Sequence, residues 1–290
     1  MTETVIEGEA DGVLEFRLNR PEKLNAITPA MFERLAAAVD RYAATPALRV
    51  MVITSSGPYF TSGLEVTADI SPPQGSSTLD GRAWYRNTYH RLFDEIEAIE
   101  KPVVAAHQGH CFGGGLELSL SCDFRLAARS ATYRLPEIDI GALPGSGGIS
   151  RLVRVAGPHW ARWLVMAGEC VTADEAVTMG FVHRVHDDAS FADEVQAFCR
   201  KLAKQPYEMV GLAKLSIELA KDLDRAQGRN VERIANSMLF TGAEHKALVQ
   251  AFLDRQAHKR QQRLANAGGG DPGASSRKCR TRWAIRPSKA

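Results

Sequence analysis

Short apolar segments alternate with amphipathic stretches over the first two thirds of the chain. Apolar residues recur at helical spacing in two of these stretches, beginning at Met31 and at Leu92. The segments that predict strands are Val13–Leu18, Val50–Thr54, Val103–His107, Asp123–Ala128, Thr132–Leu135 and Phe181–Val185. Strands that alternate with helices up to about residue 186 predict an α/β core.

Local signals place several element ends. Thr28-Pro29 is typical of a helix start, Thr172 and Glu175 form a predicted capping box, and Gly180 ends that helix. Pro102 ends the helix that begins near Leu92. The Pro, Gly and Ser residues of 71–77 predict an irregular segment.

The chain changes character after residue 189. Residues 190–264 contain only helical patterns, and residues 265–290 are rich in Gly, Ser and Arg, with a single acid, Asp271. We therefore expect an α/β core with the active site (1–189), a helical oligomerisation region (190–264) and a basic, disordered tail (265–290). The tail either contacts nucleic acid or is a solvated extension, and the second interpretation is favoured, so no nucleic-acid partner is expected.

Composition excludes several classes of protein. The 290 residues are 44% hydrophobic and 24% charged with a formal net charge of +2, which is ordinary for a globular enzyme. No segment is apolar enough over the length of a bilayer, and the acidic N-terminus is unlike a targeting peptide. Five scattered cysteines indicate reduced thiols. We expect a cytoplasmic protein with no membrane partner.

Two glycine-rich turns are each associated with a glutamate. Gly113-Gly-Gly-Leu-Glu117 leads from a strand into a helix, where free N–H groups favour a developing oxyanion. Glu137 lies among apolar residues that are expected to raise its pKa by burial. Two carboxyls in one cleft can divide into an acid and a base, but isolated surface glutamates are commoner, and spacing alone leaves both interpretations open. The histidine spacings do not match a metal site, so none is predicted.

Four stretches resemble the enoyl-CoA hydratase/isomerase (crotonase) superfamily from about residue 5 to 260. They are Leu18-Asn-Arg-Pro-Glu-Lys-Leu-Asn-Ala26, Phe60-Thr-Ser-Gly-Leu64, Gly113-Gly-Gly-Leu-Glu117, and Leu135-Pro-Glu-Ile138 followed by Leu143-Pro-Gly-Ser-Gly-Gly148. The resemblance implies a spiral of ββα turns with a C-terminal helical trimerisation region, assembled as a homotrimer or a dimer of trimers.

The resemblance also implies the site. The amides of Leu64 and Gly114 would form the oxyanion hole, and Glu117 and Glu137 would be the catalytic acids. Substrate and coenzyme A contacts are expected at Lys23, Ala26, Ser62, Gly63, Leu64, Gly113, Gly114, Pro144 and Gly145. Trp84, Tyr85 and Tyr89 either line an acyl pocket or are ordinary packing residues.

The two glutamates favour hydration of a 2-enoyl-CoA thioester, as in fatty acid metabolism, since the double-bond isomerases of the family generally use one carboxylate. Gly145 stands where the family's dienoyl isomerases and dehalogenases have an aspartate, and Asp139 is expected at the surface. The acyl-CoA is itself the electrophile, so no cofactor is expected. The alternatives are a Δ3-Δ2-enoyl-CoA isomerase and a non-catalytic crotonase-like binding protein.

This sequence departs from the family pattern at three places. Glu65 replaces the usual aspartate, and His107-Gln108 replaces the usual apolar residue and asparagine. The C-terminal helix has fewer lysines than the family often shows, so Arg255 or Lys259 would have to contact a coenzyme A phosphate.

Overall fold

The computed structural model of the chain describes residues 3–65 and 77–268, with side chains described to residue 263. The chain divides into two compact units, Met1–Ser237 and Met238–Ala290. The predicted boundary at 189/190 stays a prediction. None of the helices in these ranges has the length and apolar character needed to cross a bilayer.

The first unit contains a large and a small sheet. In chain order the strands are β1 Val5–Ala10, β2 Val13–Leu18, β3 Val50–Ser55, β4 Tyr59–Thr61, β5 Val103–His107, β6 His110–Phe112, β7 Phe124–Ala128, β8 Thr132–Arg134, β9 Val171–Thr172 and β10 Arg184–His186. The large sheet has the order β1-β2-β3-β5-β7-β10 and is parallel except for the β1–β2 pair. The small sheet has the order β4-β6-β8-β9.

Helices connect the strands and then make up the C-terminal part. They are α1 Pro29–Ala44, α2 Thr78–Tyr85, α3 Arg91–Ala98, α4 Gly114–Ser121, α5 Gly148–Val165, α6 Ala173–Met179, α7 Phe191–Ala203, α8 Tyr207–Ala220, α9 Arg225–Thr241 and α10 Ala243–Gly268. A π-helical turn, Arg86–His90, joins α2 to α3. A 3-10 turn, Pro136–Ile140, precedes α5.

Three successive repeats have the same plan. Each contributes one strand to the large sheet, the next strand to the small sheet, and then a helix: β3, β4 and α2–α3; β5, β6 and α4; β7, β8 and α5. The expected α/β spiral of ββα turns is therefore confirmed. The plan places the ends of β4 and β6 side by side, because these two strands pair in parallel.

Both faces of the large sheet are buried at its central strands β3, β5 and β7, which explains why these strands are mostly apolar. On one face Phe16 and Ile53 join the core cluster that also contains Tyr42 of α1. On the other face Val52 joins the cluster that contains Phe191 of α7. The predicted caps at Thr28, Thr172 and Gly180 are all present.

Some predicted boundaries were wrong. The helix predicted near Leu92 continues a helical run that already starts at Thr78, capped by Ser77. The last strand is Arg184–His186 and not 181–185, because only these three residues pair with β7. The predicted tail begins too early, since α10 continues to Gly268. Of the predicted irregular segment 71–77 and the predicted tail 265–290, residues 71–76 and 269–290 lie outside the described residues.

A buried ion pair joins α8 to the core of this unit. The Lys214 ammonium on α8 donates to Asp123 Oδ2 at 2.9 Å and to the carbonyl oxygens of Ile96 and Lys101. Asp123 Oδ2 also accepts a hydrogen bond from the Val103 amide at 2.7 Å. The pair links α8 to the start of β5 and to the end of α4, the helix that carries Glu117.

Candidate active site

The first turn of the site follows β4. Thr61 Oγ1 accepts a hydrogen bond from the Gly63 amide at 3.0 Å. Ile27 forms a parallel bridge to this turn, since its amide donates to the Gly63 carbonyl and its carbonyl accepts from the Glu65 amide, both at 2.9 Å. In such a bridge the residue between the two bonded neighbours directs its own N–H to the other side. The Leu64 N–H is therefore directed away from Ile27.

Asn25 supports this turn and was not predicted as a site residue. It is fully buried and has a positive φ of 53°. Its side-chain Nδ2 donates to the main-chain carbonyls of Ser56 and Tyr59 at 2.7 and 2.8 Å. The unusual Glu65 also has a partner, because Arg20 donates to its carboxylate at 2.8 Å. The residues after β2 are thus tied to the turn that carries Leu64.

The second turn lies directly against the first. Gly113 has φ 53° and ψ −132°, and α4 begins at Gly114. Because the first N–H groups of a helix have no partner within it, the Gly114 amide is available to a ligand at the positive end of the helix. A Cβ on Gly114 would lie 2.6 Å from Leu64 Cγ, and a Cβ on Gly63 would lie 3.5 Å from the Gly114 nitrogen. Both predicted oxyanion donors therefore belong to one small region.

Glu117 lies one turn into α4 and is 3% exposed. Its Oε1 accepts hydrogen bonds from the Ser146 amide at 2.7 Å and the Gly148 amide at 3.1 Å. Gly148 has to be glycine, because a Cβ there would lie 2.8 Å from both Cγ and Oε1 of Glu117. Both bonds use Oε1, so they hold the carboxyl in one orientation. Oε2 takes part in neither bond and is available for proton transfer.

Burial raises the pKa of Glu117 to about 7, and the charge of Glu137 contributes to the same shift. The amides of Ser146 and Gly148 and the Arg151 guanidinium act in the opposite direction, because they stabilise the carboxylate. This carboxyl therefore exchanges its proton near neutral pH, which is what general acid–base catalysis requires.

Glu137 lies in the 3-10 turn after β8 and faces the second glycine turn. A Cβ on Gly113 would lie 3.1 Å from Glu137 Oε1. Its Oε2 is buried and has no hydrogen-bond partner within the part of the chain that the structure describes. Burial raises the pKa of this carboxyl, as the sequence predicted. An unpaired buried carboxyl oxygen beside free main-chain amides is costly unless a ligand satisfies it.

The three predicted acyl-pocket aromatics have different surroundings. Tyr89 is only 5% exposed and packs edge-on against Phe32 and Trp84. Tyr85 is 37% exposed, and its Cε1 would lie 3.5 Å from a Cβ on Gly145. Burial raises the pKa of Tyr85, and the charges of Glu117 and Glu137 add to this shift, so its phenol lies in the same region as both carboxyls. Among the three, Tyr85 has the position of a pocket residue and Tyr89 that of a core residue.

The other predicted contact residues differ in their exposure. Lys23 and Gly145 are exposed, Ala26 and Ser62 are half-buried, and Pro144 is buried. The exposed Asp139 pairs with Arg134 at 2.9 Å, as expected of a surface residue. Arg255 and Lys259 are exposed on α10, in the second compact unit.

Sequence reasoning missed the residues that hold Glu117. Ser146 was included only as part of a family motif, whereas its main-chain N–H donates a hydrogen bond to Glu117. Arg151 was not considered, although its guanidinium donates to the Ser146 carbonyl at 3.0 Å. The run of glycines before α5 was the available signal, since it indicates a backbone that approaches another group closely.

No group of three or more His, Cys, Asp and Glu side chains within residues 3–65 and 77–263 has the arrangement of a metal site.

Comparisons with known proteins agree with this geometry. The sequence profile described as enoyl-CoA hydratase/isomerase matches residues 8–263. Crotonyl-CoA hydratase of Syntrophomonas wolfei is 32% identical over 88% of this chain and 96% of its own. The 1,2-epoxyphenylacetyl-CoA isomerase of Escherichia coli is 30% identical over 89% and 98%. The solved structure of an enoyl-CoA hydratase from Bacillus anthracis superposes with a TM-score of 0.80 at 28% identity, covering 87% of this chain and 97% of that one. By this profile match and these relatives, the chain belongs to the enoyl-CoA hydratase/isomerase family.

Proposed function

We propose that this protein is an enoyl-CoA hydratase that adds water, syn, across the 2,3-double bond of a 2-enoyl-CoA thioester. The observation that carries the proposal is that the buried Glu117 carboxyl and the Glu137 carboxyl, whose Oε2 is buried, lie near enough to interact electrostatically, beside the amides of Leu64 and Gly114. An isomerase of this family needs one carboxyl to move a proton, whereas addition of water needs one group to take a proton and one to supply it.

The reaction uses these groups in order. The thioester oxygen accepts hydrogen bonds from the Leu64 and Gly114 amides, each worth about 3–4 kcal/mol to the transition state. Glu117 takes a proton from water as the water oxygen bonds to C3, and Glu137 delivers a proton to C2. The substrate gains one water, and the pair as a whole keeps one proton. The thioester is the electrophile, so the proposed reaction needs no cofactor.

Two substrates test the proposal. Crotonyl-CoA should lose the ultraviolet absorbance of its conjugated thioester as water adds, and the 3-hydroxy product should be found by mass spectrometry. A 3-enoyl-CoA should gain little absorbance, because only an isomerase would move its double bond into conjugation with the thioester. Failure to hydrate any 2-enoyl-CoA, together with rapid conversion of the 3-enoyl-CoA, would establish the isomerase instead. If neither thioester reacts although both bind, the protein is a crotonase-like binding protein.

The pH dependence follows from the coupled carboxyls. The active form carries one proton that the two carboxyls share, and it reacts when this proton is on Glu137 and Glu117 can act as the base. Burial and the Glu137 charge raise the pKa of Glu117 to about 7, and near this pH the pair loses its last proton. We expect kcat/KM to follow a bell-shaped curve that falls above about pH 7, because the dianionic pair has no proton for C2. Below the raised pKa of Glu137 the pair gains a second proton and lacks a base. A profile of kcat/KM that stays level from mildly acidic to alkaline pH would contradict this assignment.

Gly114→Ala tests the amide turn. The new Cβ would lie 2.6 Å from Leu64 Cγ, so the start of α4 or the Leu64 turn has to move. We expect kcat for crotonyl-CoA to fall about 10²- to 10³-fold, the effect of losing one oxyanion donor. Gly8→Ala is the matched control, because nothing lies within 4 Å of a Cβ there. Equal kcat values for the two folded variants would show that the Gly114 amide does not bind the oxyanion.

We also propose that the chain assembles as a homotrimer or a dimer of trimers. Helix α10 supports this, because Leu248, Val249, Phe252 and Leu253 are each between 42% and 53% exposed. Such a row of large apolar side chains is costly in water and favours burial against another subunit. Sedimentation equilibrium of the full chain tests the proposal, and a monomeric mass at micromolar concentration would refute it.

A cytoplasmic location is proposed on the state of the cysteines. Cys111, Cys122 and Cys199 are buried free thiols, which are common where the redox environment is reducing. Cell fractionation with an antibody against the full chain tests this location.

A further inference from the structure

Arg151 lies behind the loop that holds Glu117. It is 7% exposed and projects from the first turns of α5. Its Nη1 donates to the Ser146 carbonyl at 3.0 Å, while the main-chain amide of Ser146 donates to Glu117 Oε1 at 2.7 Å. The same short loop is thus held on one side by a guanidinium and on the other side by the catalytic carboxyl.

The loop is shaped to admit this guanidinium. Gly147 has a φ of 89°, and a Cβ there would lie 2.1 Å from Arg151 Nη1. The Arg151 amide also donates to the Gly147 carbonyl at 3.0 Å. A side chain at position 147 would therefore displace the guanidinium, which means that the loop conformation and the position of Arg151 depend on each other.

Two carboxylates on α3 hold the other end of the guanidinium. Arg151 Nη2 donates to Asp94 at 2.7 Å and to Glu97 at 2.9 Å. Asp94 is mostly exposed, whereas Glu97 is partly buried and also lies 3.8 Å from Lys221. Because α3 continues the helical run that carries Tyr85, Arg151 connects this run to the Glu117 loop.

We propose that Arg151 is a positioning residue for hydration. Through Ser146 it fixes the loop that orients the Glu117 carboxyl, and through Glu97 and Asp94 it holds that loop in a fixed position relative to α3. The proposal rests on the proposed function for its catalytic consequence. The loop geometry itself can be tested without any substrate.

The electrostatic consequence has a definite sign. The Arg151 charge stabilises the Glu117 carboxylate, and Glu137 opposes it from the other side of the site. The phenols of Tyr85 and Tyr89 also face Glu117, and the Cys122 thiol lies near Arg151, but all three have pKa values raised by burial and are neutral in the working range. Removal of the guanidinium therefore raises the pKa of Glu117.

The test compares Arg151→Met with Arg154→Met in the full chain. Arg154 lies one turn further along α5 in an exposed pair with Asp222, so it controls for loss of one arginine and one ion pair. The readout is the pKa of Glu117 without substrate, from pH-difference infrared spectra in which Glu117→Gln identifies the band. Arg151→Met should raise this pKa by about one unit, the lower end of the effect of a close opposite charge, and Arg154→Met should leave it unchanged.

The kinetic readout separates positioning from charge alone. Arg151→Lys keeps the positive charge, so the pKa of Glu117 should stay close to that of the unmodified protein. Lysine cannot, however, bridge Ser146 and the two acids. The kcat of this variant for crotonyl-CoA should therefore stay about 10-fold or more below that of the unmodified protein with little change in KM, because the carboxyl is misplaced. Full recovery of kcat by lysine would reduce the role of Arg151 to its charge and overturn the positioning proposal.

Other outcomes also decide the proposal. If Arg151→Met lowers only thermal stability and leaves the pKa of Glu117 unchanged, the residue is structural and the proposal is wrong. If Arg151→Met does not fold, Glu97→Gln replaces it: Arg151 then loses one of the two carboxylates that hold it, so kcat for crotonyl-CoA should fall with little change in KM, and an unchanged kcat refutes the proposal. If the unmodified protein does not hydrate crotonyl-CoA, the proposed function fails while the infrared result still stands.

Discussion

Glu117→Gln should lower kcat for crotonyl-CoA by about 10²- to 10⁴-fold, the usual contribution of a positioned acid–base group. The amide oxygen of glutamine can still accept the hydrogen bonds from Ser146 and Gly148, so the loop keeps its partners. The –NH₂ group that then takes the place of Oε2 cannot accept a proton from water. The loss should therefore appear in kcat with a small change in KM, because the interaction that disappears is made in the transition state.

A matched control is available for this substitution. Glu33→Gln changes the same functional groups at an exposed position of α1 and should leave the rate unchanged. The thermal unfolding midpoint of Glu117→Gln should not lie below that of the control, because a buried carboxyl next to a second carboxyl already destabilises the folded protein. A Glu117→Gln protein that keeps more than about one tenth of its activity would remove Glu117 from the acid–base role.

Glu137→Gln should also lower hydration by about 10²- to 10⁴-fold, for a different reason. Glu137 Oε2 is buried without a hydrogen-bond partner among the described residues, and it lies beside the turn that carries the Gly114 amide. In the proposed reaction this carboxyl exchanges a proton with C2 of the thioester. Glutamine cannot supply this proton, although its shape is nearly the same.

Proton exchange separates the two glutamates. In D₂O the oxyanion donors acidify C2–H of the saturated thioester butyryl-CoA, so one carboxyl suffices for deuterium to enter C2, with no water added. We expect Glu117→Gln to keep most of this exchange and Glu137→Gln to lose it, measured by mass spectrometry. The opposite pattern would show that the two carboxyls have exchanged roles.

Local features of the chain were predictable because they depend on neighbours in sequence. The cap at Thr28, the capping box at Thr172 and the positive φ of Gly180 all follow from short-range hydrogen bonds and sterics. Most of the strands also follow from their apolar runs. The three-residue strand Arg184–His186 was misplaced, since its extent depends on pairing with β7, which is more than 50 residues away.

Taken alone, the amino-acid sequence determined that this is an α/β chain with two glycine turns and two candidate carboxyls, and its motifs indicated the family. Only the tertiary structure decided that Glu117 is buried and held by Ser146 and Gly148, that Glu137 shares its surroundings, and that Tyr85 and Tyr89 differ. The physical reason is that burial, pKa and hydrogen bonding of these groups depend on residues about 30 positions apart, which the fold brings together and no local pattern encodes.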